Sequence, residues 1–345
     1  MSLTRSRPRL AGLRASQLHP ISHAMVMGTG SLSSGALLLG WSRLSTVLFA
    51  IAAVAFVLLV SLSVARVLRY PDHVRADAAN PRTAFAPYTL AAAIAILGVR
   101  AALDGHTVLP TIALVLGTIM SAALAVPTVG MLRSQRGRAD AATGNWQLPS
   151  VAIEALALLA ASLGLLRRSD GFEATAVALW LIGIPVYAAV VPVIIRRFRR
   201  VPFGPEDLTP DYWTLMAVPS LIGLVATRLW AASPHLAAAS WLRPILEPIA
   251  FAGLGISALL APAWIALQVW RLVRDPGSRR YQPTWWGLVF PTAIVVIAAQ
   301  VAGRVYGVGW LHPAAVVGYW LVFAVWATVG LGLLRNLGRR ELEPA

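Results

Sequence analysis

The chain has 345 residues, 58% of them hydrophobic and only 12% charged, with a mean hydropathy of +0.70. A soluble fold of this size has too little interior to hide so much apolar surface. There is no cysteine, and all 29 basic residues are arginine, for a formal charge of +15; disulfides, thiolate metal sites, a phosphate-binding lysine and Schiff-base chemistry are thereby excluded.

Residues 1–19 form a basic stretch with Arg5, Arg7, Arg9 and Arg14. No short apolar core with a small-residue cleavage site follows, so it reads as a cytoplasmic tail and not a signal peptide. Residues 20–335 hold ten apolar spans, at about 21–40, 45–68, 86–103, 108–131, 147–166, 174–195, 211–230, 246–270, 285–304 and 313–334. Each is long enough to cross roughly 30 Å of hydrocarbon as a helix. Residues 336–345 form a short C-terminal tail. The expected fold class is an all-α integral membrane protein with ten transmembrane helices paired as five helical hairpins.

The arginines set the orientation. Twenty-two of them precede span one or follow spans two, four, six, eight and ten, including the run RRFRR at 196–200. The positive-inside rule then places both termini in the cytoplasm, which itself requires an even number of spans. The expected location is the cell inner (plasma) membrane. A basic balance arranged this way borders lipid and leaves no reason to invoke nucleic acid.

Arg43, Arg100, Arg167, Arg228 and Arg304 instead mark the far ends of the odd-numbered spans. If those helices are innermost, the arginines form a positive outer mouth that concentrates anions. Arginines at helix ends also snorkel to headgroups with no further role. Span nine, within PTWWGLVFPTAIVVIAAQVAGR at 283–304, raises a similar choice. Residues 290, 294, 297, 301 and 304 share one helical stripe, with Phe290 and Arg304 about 21 Å apart. Phe290 beside the kinking Pro291 is either a packed ring or an aromatic constriction at which an anion loses its water.

Other candidates are weaker. Pro87, Pro149 and Pro219 sit in the inner halves of odd spans, where broken helices free N–H groups for anions. Prolines occur in even spans too, so they do not separate pore from periphery. GTGSLSSG at 28–35 is a close-packing surface, with Gly28 and Gly30, or a source of hydroxyl donors such as Ser31. Glu154 is the one carboxylate placed well inside a span; such acids mark pathways or proton relays, though it could equally pair with an arginine or face the vestibule.

DLTPD at 207–211 has a diphosphate-chelating spacing but no second acidic motif to work with, so it reads as an acidic helix cap. His19 and His23 have metal-ligand spacing, yet Pro20 interrupts the helix between them and no third ligand is near. No metal, cofactor or nucleotide is implied.

The segments MGTGSLSSGALLLG, NPRTAFAPYTLAAAIAILGVR, NWQLP, PDYWTLMAVPSLIGLVATRL and WWGLVFP occur in this order. Together they resemble the tellurite-resistance and C4-dicarboxylate transporter family of TehA-type anion channels, malate permeases, sulfite exporters and plant slow anion channels. The resemblance implies odd helices lining a central pore, even helices outside, a gating phenylalanine at Phe290, and a homotrimer with one pore per protomer. The implied activity is a channel or permease for halide, nitrate, an oxyanion such as sulfite or tellurite, or a C4-dicarboxylate. The alternative is a proton-coupled malate carrier using Glu154; a membrane scaffold or enzyme is the remote one.

Overall fold

The computed structural model describes residues 15–134 and 138–342. Arg5, Arg7, Arg9, Arg14 and Arg136 lie outside the described residues, as do residues 1–14 and 343–345 as a whole; the expected C-terminal tail from 336 instead continues the last helix to Leu342. Among the described residues eleven α-helices follow in order: α1 (Ala24–Leu38), α2 (Ser42–Arg69), α3 (Pro71–Ala79), α4 (Tyr88–Leu103), α5 (Val108–Ser134), α6 (Leu148–Arg167), α7 (Asp170–Arg200), α8 (Thr214–Ala232), α9 (Arg243–Arg274), α10 (Trp286–Val305) and α11 (Leu311–Leu342). No strand occurs among the described residues.

Among the described residues eight helices, α2 and α5 to α11, are long and apolar enough to cross a membrane. The other two expected spans are shorter, 15 residues in α1 and 16 in α4. The cause is local in both. A 3-10 turn, Pro20–His23, leads into α1, which stops before Gly40 with its positive φ of 88°. α4 begins only after its N-cap, Pro87, and ends before Gly105 at φ 87°.

Five helices close a ring: α1 packs on α4, α4 on α6, α6 on α8, α8 on α10, and α10 back on α1. Each ring helix also packs against the long helix that follows it, α2, α5, α7, α9 or α11. The turns leading into α1 and α8 both touch the turn leading into α10, and the turns into α6 and α8 touch each other. The ring helices therefore start at a common end and run parallel.

The layers differ in how they bury their apolar residues. Ring helices are buried along most of their length, whereas outer helices bury a single stripe. In α2, Ser45, Leu48, Ala52 and Ala55 face inwards while Val47, Ile51, Val54 and Leu58 are exposed. Such a sheath of large aliphatic side chains suits lipid and would aggregate in water.

Glycines set the helix separations. A Cβ at Gly98 would stand 2.8 Å from Leu159 and one at Gly117 2.7 Å from Leu156, so α4 and α5 close on α6 through bare backbone. Pro219, inside α8, has no N–H for the Leu215 carbonyl. The Tyr187 hydroxyl of α7 donates to that carbonyl instead, at 3.2 Å. Ser257 of α9 donates to the neighbouring Met216 carbonyl at 2.6 Å.

Gly253 of α9 lies directly on the Pro219 carbonyl, where a Cβ would overlap the oxygen; at Gly255 a Cβ meets nothing within 4 Å. Gly253→Ala is expected to cost about 1–3 kcal/mol and to lower the thermal midpoint of the purified protein by several degrees. Gly255→Ala should stay within about 1 kcal/mol of wild type. Equal melting of the two variants would refute this account of how α8 and α9 pack.

Candidate functional site

The common end of the ring is tied by hydrogen bonds between segments far apart in sequence. The Asp211 carboxylate accepts from the Asn145 backbone N–H at 2.9 Å, and the Thr214 hydroxyl donates to the Gly144 carbonyl at 2.8 Å. Trp146 donates to the Pro81 carbonyl at 2.9 Å, and the Asn145 side chain to that of Arg82 at 3.1 Å. Gly144 sits on the Asp211 backbone with no space for a Cβ, and a Cβ at Gly287 would lie 3.3 Å from the Asp211 Cα. NWQLP, PDYW and WWGLVFP thus meet at one place. Their positions make the parallel ring helices present N–H ends to the same side, a polarity that favours anions there.

Prolines enter this arrangement in two ways. Pro87 is an N-cap and Pro149 lies in the first turn of α6, where no helical hydrogen bond is lost. Pro219 and Pro291 lie inside α8 and α10, each in the second turn.

Farther along the ring a cavity of about 20 Å³ lies between the helices. All five contribute to its wall, with Ser31 from α1, Ile96 from α4, Leu158 from α6, Arg228 from α8 and Ile294 from α10. That volume holds about one water molecule. Ile297 lines it as well, so two members of the 290–294–297 stripe face the ring interior. Phe290 is one turn nearer the common end, 2% exposed, and belongs to the same apolar cluster as Ile294 and Ile297.

The five odd-span arginines do not share one environment. Arg43, Arg167 and Arg304 are exposed, Arg167 standing over the Phe172 ring at 5.6 Å. Arg100 is buried. Its Nε donates to the hydroxyls of Ser33 and Ser45 at 2.9 Å each, and its Nη1 pairs with Asp104 at 2.5 Å. Arg228 reaches the cavity, and its buried Nε has no acceptor among the described residues.

GTGSLSSG divides by face. A Cβ at Gly28 would lie 2.9 Å from Val289, beside Phe290 on α10; one at Gly30 would lie 3.0 Å from Ile96 and one at Gly35 3.3 Å from Tyr319. Ser33 faces α2 through its reciprocal bonds with Ser45, and Ser31 and Ser34 face the cavity. Glu154 is fully buried, with neither carboxylate oxygen hydrogen-bonded among the described residues. Its side chain rests on Gly183 of α7, at the contact between ring and outer layer, and it does not line the cavity.

Sequence reasoning missed the junction of Ser33, Ser45 and Arg100, although a serine near the start of the following helix and an acid four residues after the arginine were visible signals. It placed Arg228 with the other helix-end arginines, because spacing along the chain carries no azimuth.

A ring of parallel helices inside a lipid-suited sheath, with a small cavity on the ring axis, defines a multi-pass helical membrane protein. The chain belongs to the voltage-dependent anion channel family, whose profile matches residues 17–334. It is 25% identical over 338 residues to an uncharacterized transporter of Methanocaldococcus jannaschii, covering 92% of this chain and 94% of that protein. It is also 25% identical over 154 residues to an uncharacterized membrane protein of Mycobacterium tuberculosis, covering 44% of this chain and 77% of that one. Membership sets the chain among channels and transporters and not among enzymes.

The contrast between arginines is measurable. Arg100→Gln removes charge-assisted bonds of about 1.5–3 kcal/mol and should lower the thermal midpoint by several degrees. Arg43→Gln, at an exposed site, is expected to melt within about 0.5 kcal/mol of wild type. A stable Arg100→Gln protein would mean that the buried junction contributes nothing to folding.

Proposed function

We propose that the protein is a channel or permease for small anions, its ten spans arranged as five hairpins around a central passage. The ring helices line the passage and the outer helices face lipid. The single observation that carries this is the closed ring with an axial cavity walled by all five of its helices. Family membership and the transporter name of the archaeal relative support it.

Phe290 acts as the gate. A ring on the 290–294–297 stripe narrows an already apolar path, and an anion there loses hydration with no compensating donor. Pro291 leaves the adjacent turn short of one backbone hydrogen bond, so α10 can bend where the ring sits. Gly28 lets α1 approach α10 at the same level. The arginine distribution supports cytoplasmic termini in the cell inner membrane, with Arg228 toward the outer side. The resemblance adds a homotrimer, and halide, nitrate, sulfite, tellurite or a C4-dicarboxylate as cargo. The proton-coupled carrier reading has less support, since Glu154 rests on Gly183 away from the cavity.

Anion flux into liposomes tests the gate. Wild type is expected to be nearly silent, and Phe290→Ala to conduct chloride or nitrate. Lowering the barrier by about 1.4 kcal/mol already gives about tenfold, so the increase should be at least that. A folded Phe290→Ala protein with wild-type flux would remove Phe290 from the mechanism. In the same assay Glu154→Gln should leave chloride flux and its independence of a pH gradient unchanged; loss of pH-coupled malate uptake in that variant would restore the carrier.

A further inference from the structure

We infer that Arg228 and Ser31 form an internal binding site for one dehydrated monovalent anion of halide or nitrate size, on the far side of Phe290 from the common end of the ring. This deepens, and rests on, the central-passage reading above.

Hydroxyls in this part of the chain normally spend their proton locally. Thr29 donates to the Met25 carbonyl at 2.8 Å, Ser34 to that of Gly30 at 3.1 Å, and Ser33 to that of Ser45 at 2.7 Å. Ser31 is different: 1% exposed, on the cavity wall, and with no hydrogen-bond partner for its oxygen. A helical serine that forgoes its backbone acceptor keeps a donor free for something in the cavity.

Arg228 differs from most inward-reaching arginines in the same sense; Arg271 of α9 is also buried without a carboxylate, but it stands over the Trp285 ring at 5.6 Å and does not line the cavity. Arg66 pairs with Asp77, Arg100 with Asp104, and Arg197 with Asp207 and the Tyr212 hydroxyl. No carboxylate pairs with Arg228 among the described residues, and its Nε–H is buried without an acceptor. An uncompensated cation between apolar helices is costly. A mobile anion is a counter-charge that can come and go, and it would meet the guanidinium and the serine hydroxyl in one cavity.

The rest of the wall defines the class of ligand. Ile96, Val99, Leu158, Leu224 and Ile294 offer neither donors nor charge. A second carboxylate would lie against these side chains stripped of water, so a C4-dicarboxylate is disfavoured; a doubly charged oxyanion meets the same penalty. With a volume of about 20 Å³, the cavity takes a particle about the size of one water molecule. A single halide meets both limits with little rearrangement, and nitrate with slightly more.

Binding and flux are to be measured separately on the full-length protein. Thermal shift and calorimetry with chloride, bromide, nitrate and malate should show saturable stabilisation by the three monovalent anions and none by malate. Arg228→Gln should weaken halide affinity at least about tenfold, and Ser31→Ala about three- to tenfold. Arg228→Lys keeps the charge and should retain part of the affinity. Without added anion, Arg228→Gln should melt no lower than wild type, because it removes a half-buried cation with no carboxylate partner; a merely structural arginine would give the opposite. Halide affinity unchanged in both Arg228→Gln and Ser31→Ala would overturn the site, and so would malate binding that depends on Arg228. In the Phe290→Ala background, chloride flux should saturate at the concentration that half-fills the site. Arg228-dependent binding with no flux through Phe290→Ala would leave the site standing and sink the passage. Flux without Arg228-dependent binding would do the reverse.

Discussion

Gly144 lies on the backbone of Asp211 so closely that no side chain fits between them. This contact fixes where α6 and α8 begin relative to each other, and much of the molecule follows from it. The Asn145 and Thr214 bonds across the junction hold two ring helices at one level, and Gly287 brings the start of α10 against the same Asp211. Helices pinned at one end and packed through Gly28 and Gly98 along their length have little freedom left to rotate. A ring this tight leaves an axial space about the size of a water molecule.

Close packing also decides what polar groups can do. In lipid every backbone group must be satisfied internally, and Tyr187 and Ser257 serve that need around Pro219. Arg100 is buried in a set of partners that spends its hydrogen bonds on holding α1, α2 and α4 together. Arg228 has no such set. Two arginines near the ends of two ring helices thus come to different surroundings, one in a set of hydrogen-bond partners and one at the axial cavity. Charge alone does not separate them; the supply of acceptors nearby does.

The outer helices carry less information and need less. Their exposed faces are aliphatic and their buried stripes narrow, so a wide range of sequences would serve. Glu154 is the exception at this boundary, set between α6 and α7 where Gly183 makes room for it. A lone acid inside a span invites a transport role when the chain is read as a string. In the folded molecule its side chain leaves the axis for the neighbouring helix.

Membrane class, an all-helical build and the approximate place of the eight membrane-length helices were legible in the sequence, because hydropathy and helical period are local properties. So was the stripe of Phe290, Ile294 and Ile297, which a 3.6-residue repeat puts on one face whatever surrounds it. The resemblance carried by NWQLP, PDYW and WWGLVFP was readable too, though not what those segments do, which is to knot together the start of the ring. The shortness of α1 and α4 went unread, since their limits lie in turns at Gly40, Pro87 and Gly105 and not in a change of hydropathy. Only the tertiary structure decided which way Arg100, Arg228, Ser31 and Glu154 point. Each helix turns about 100° per residue, so its azimuth is set by contacts with distant glycines and not by anything within its own span.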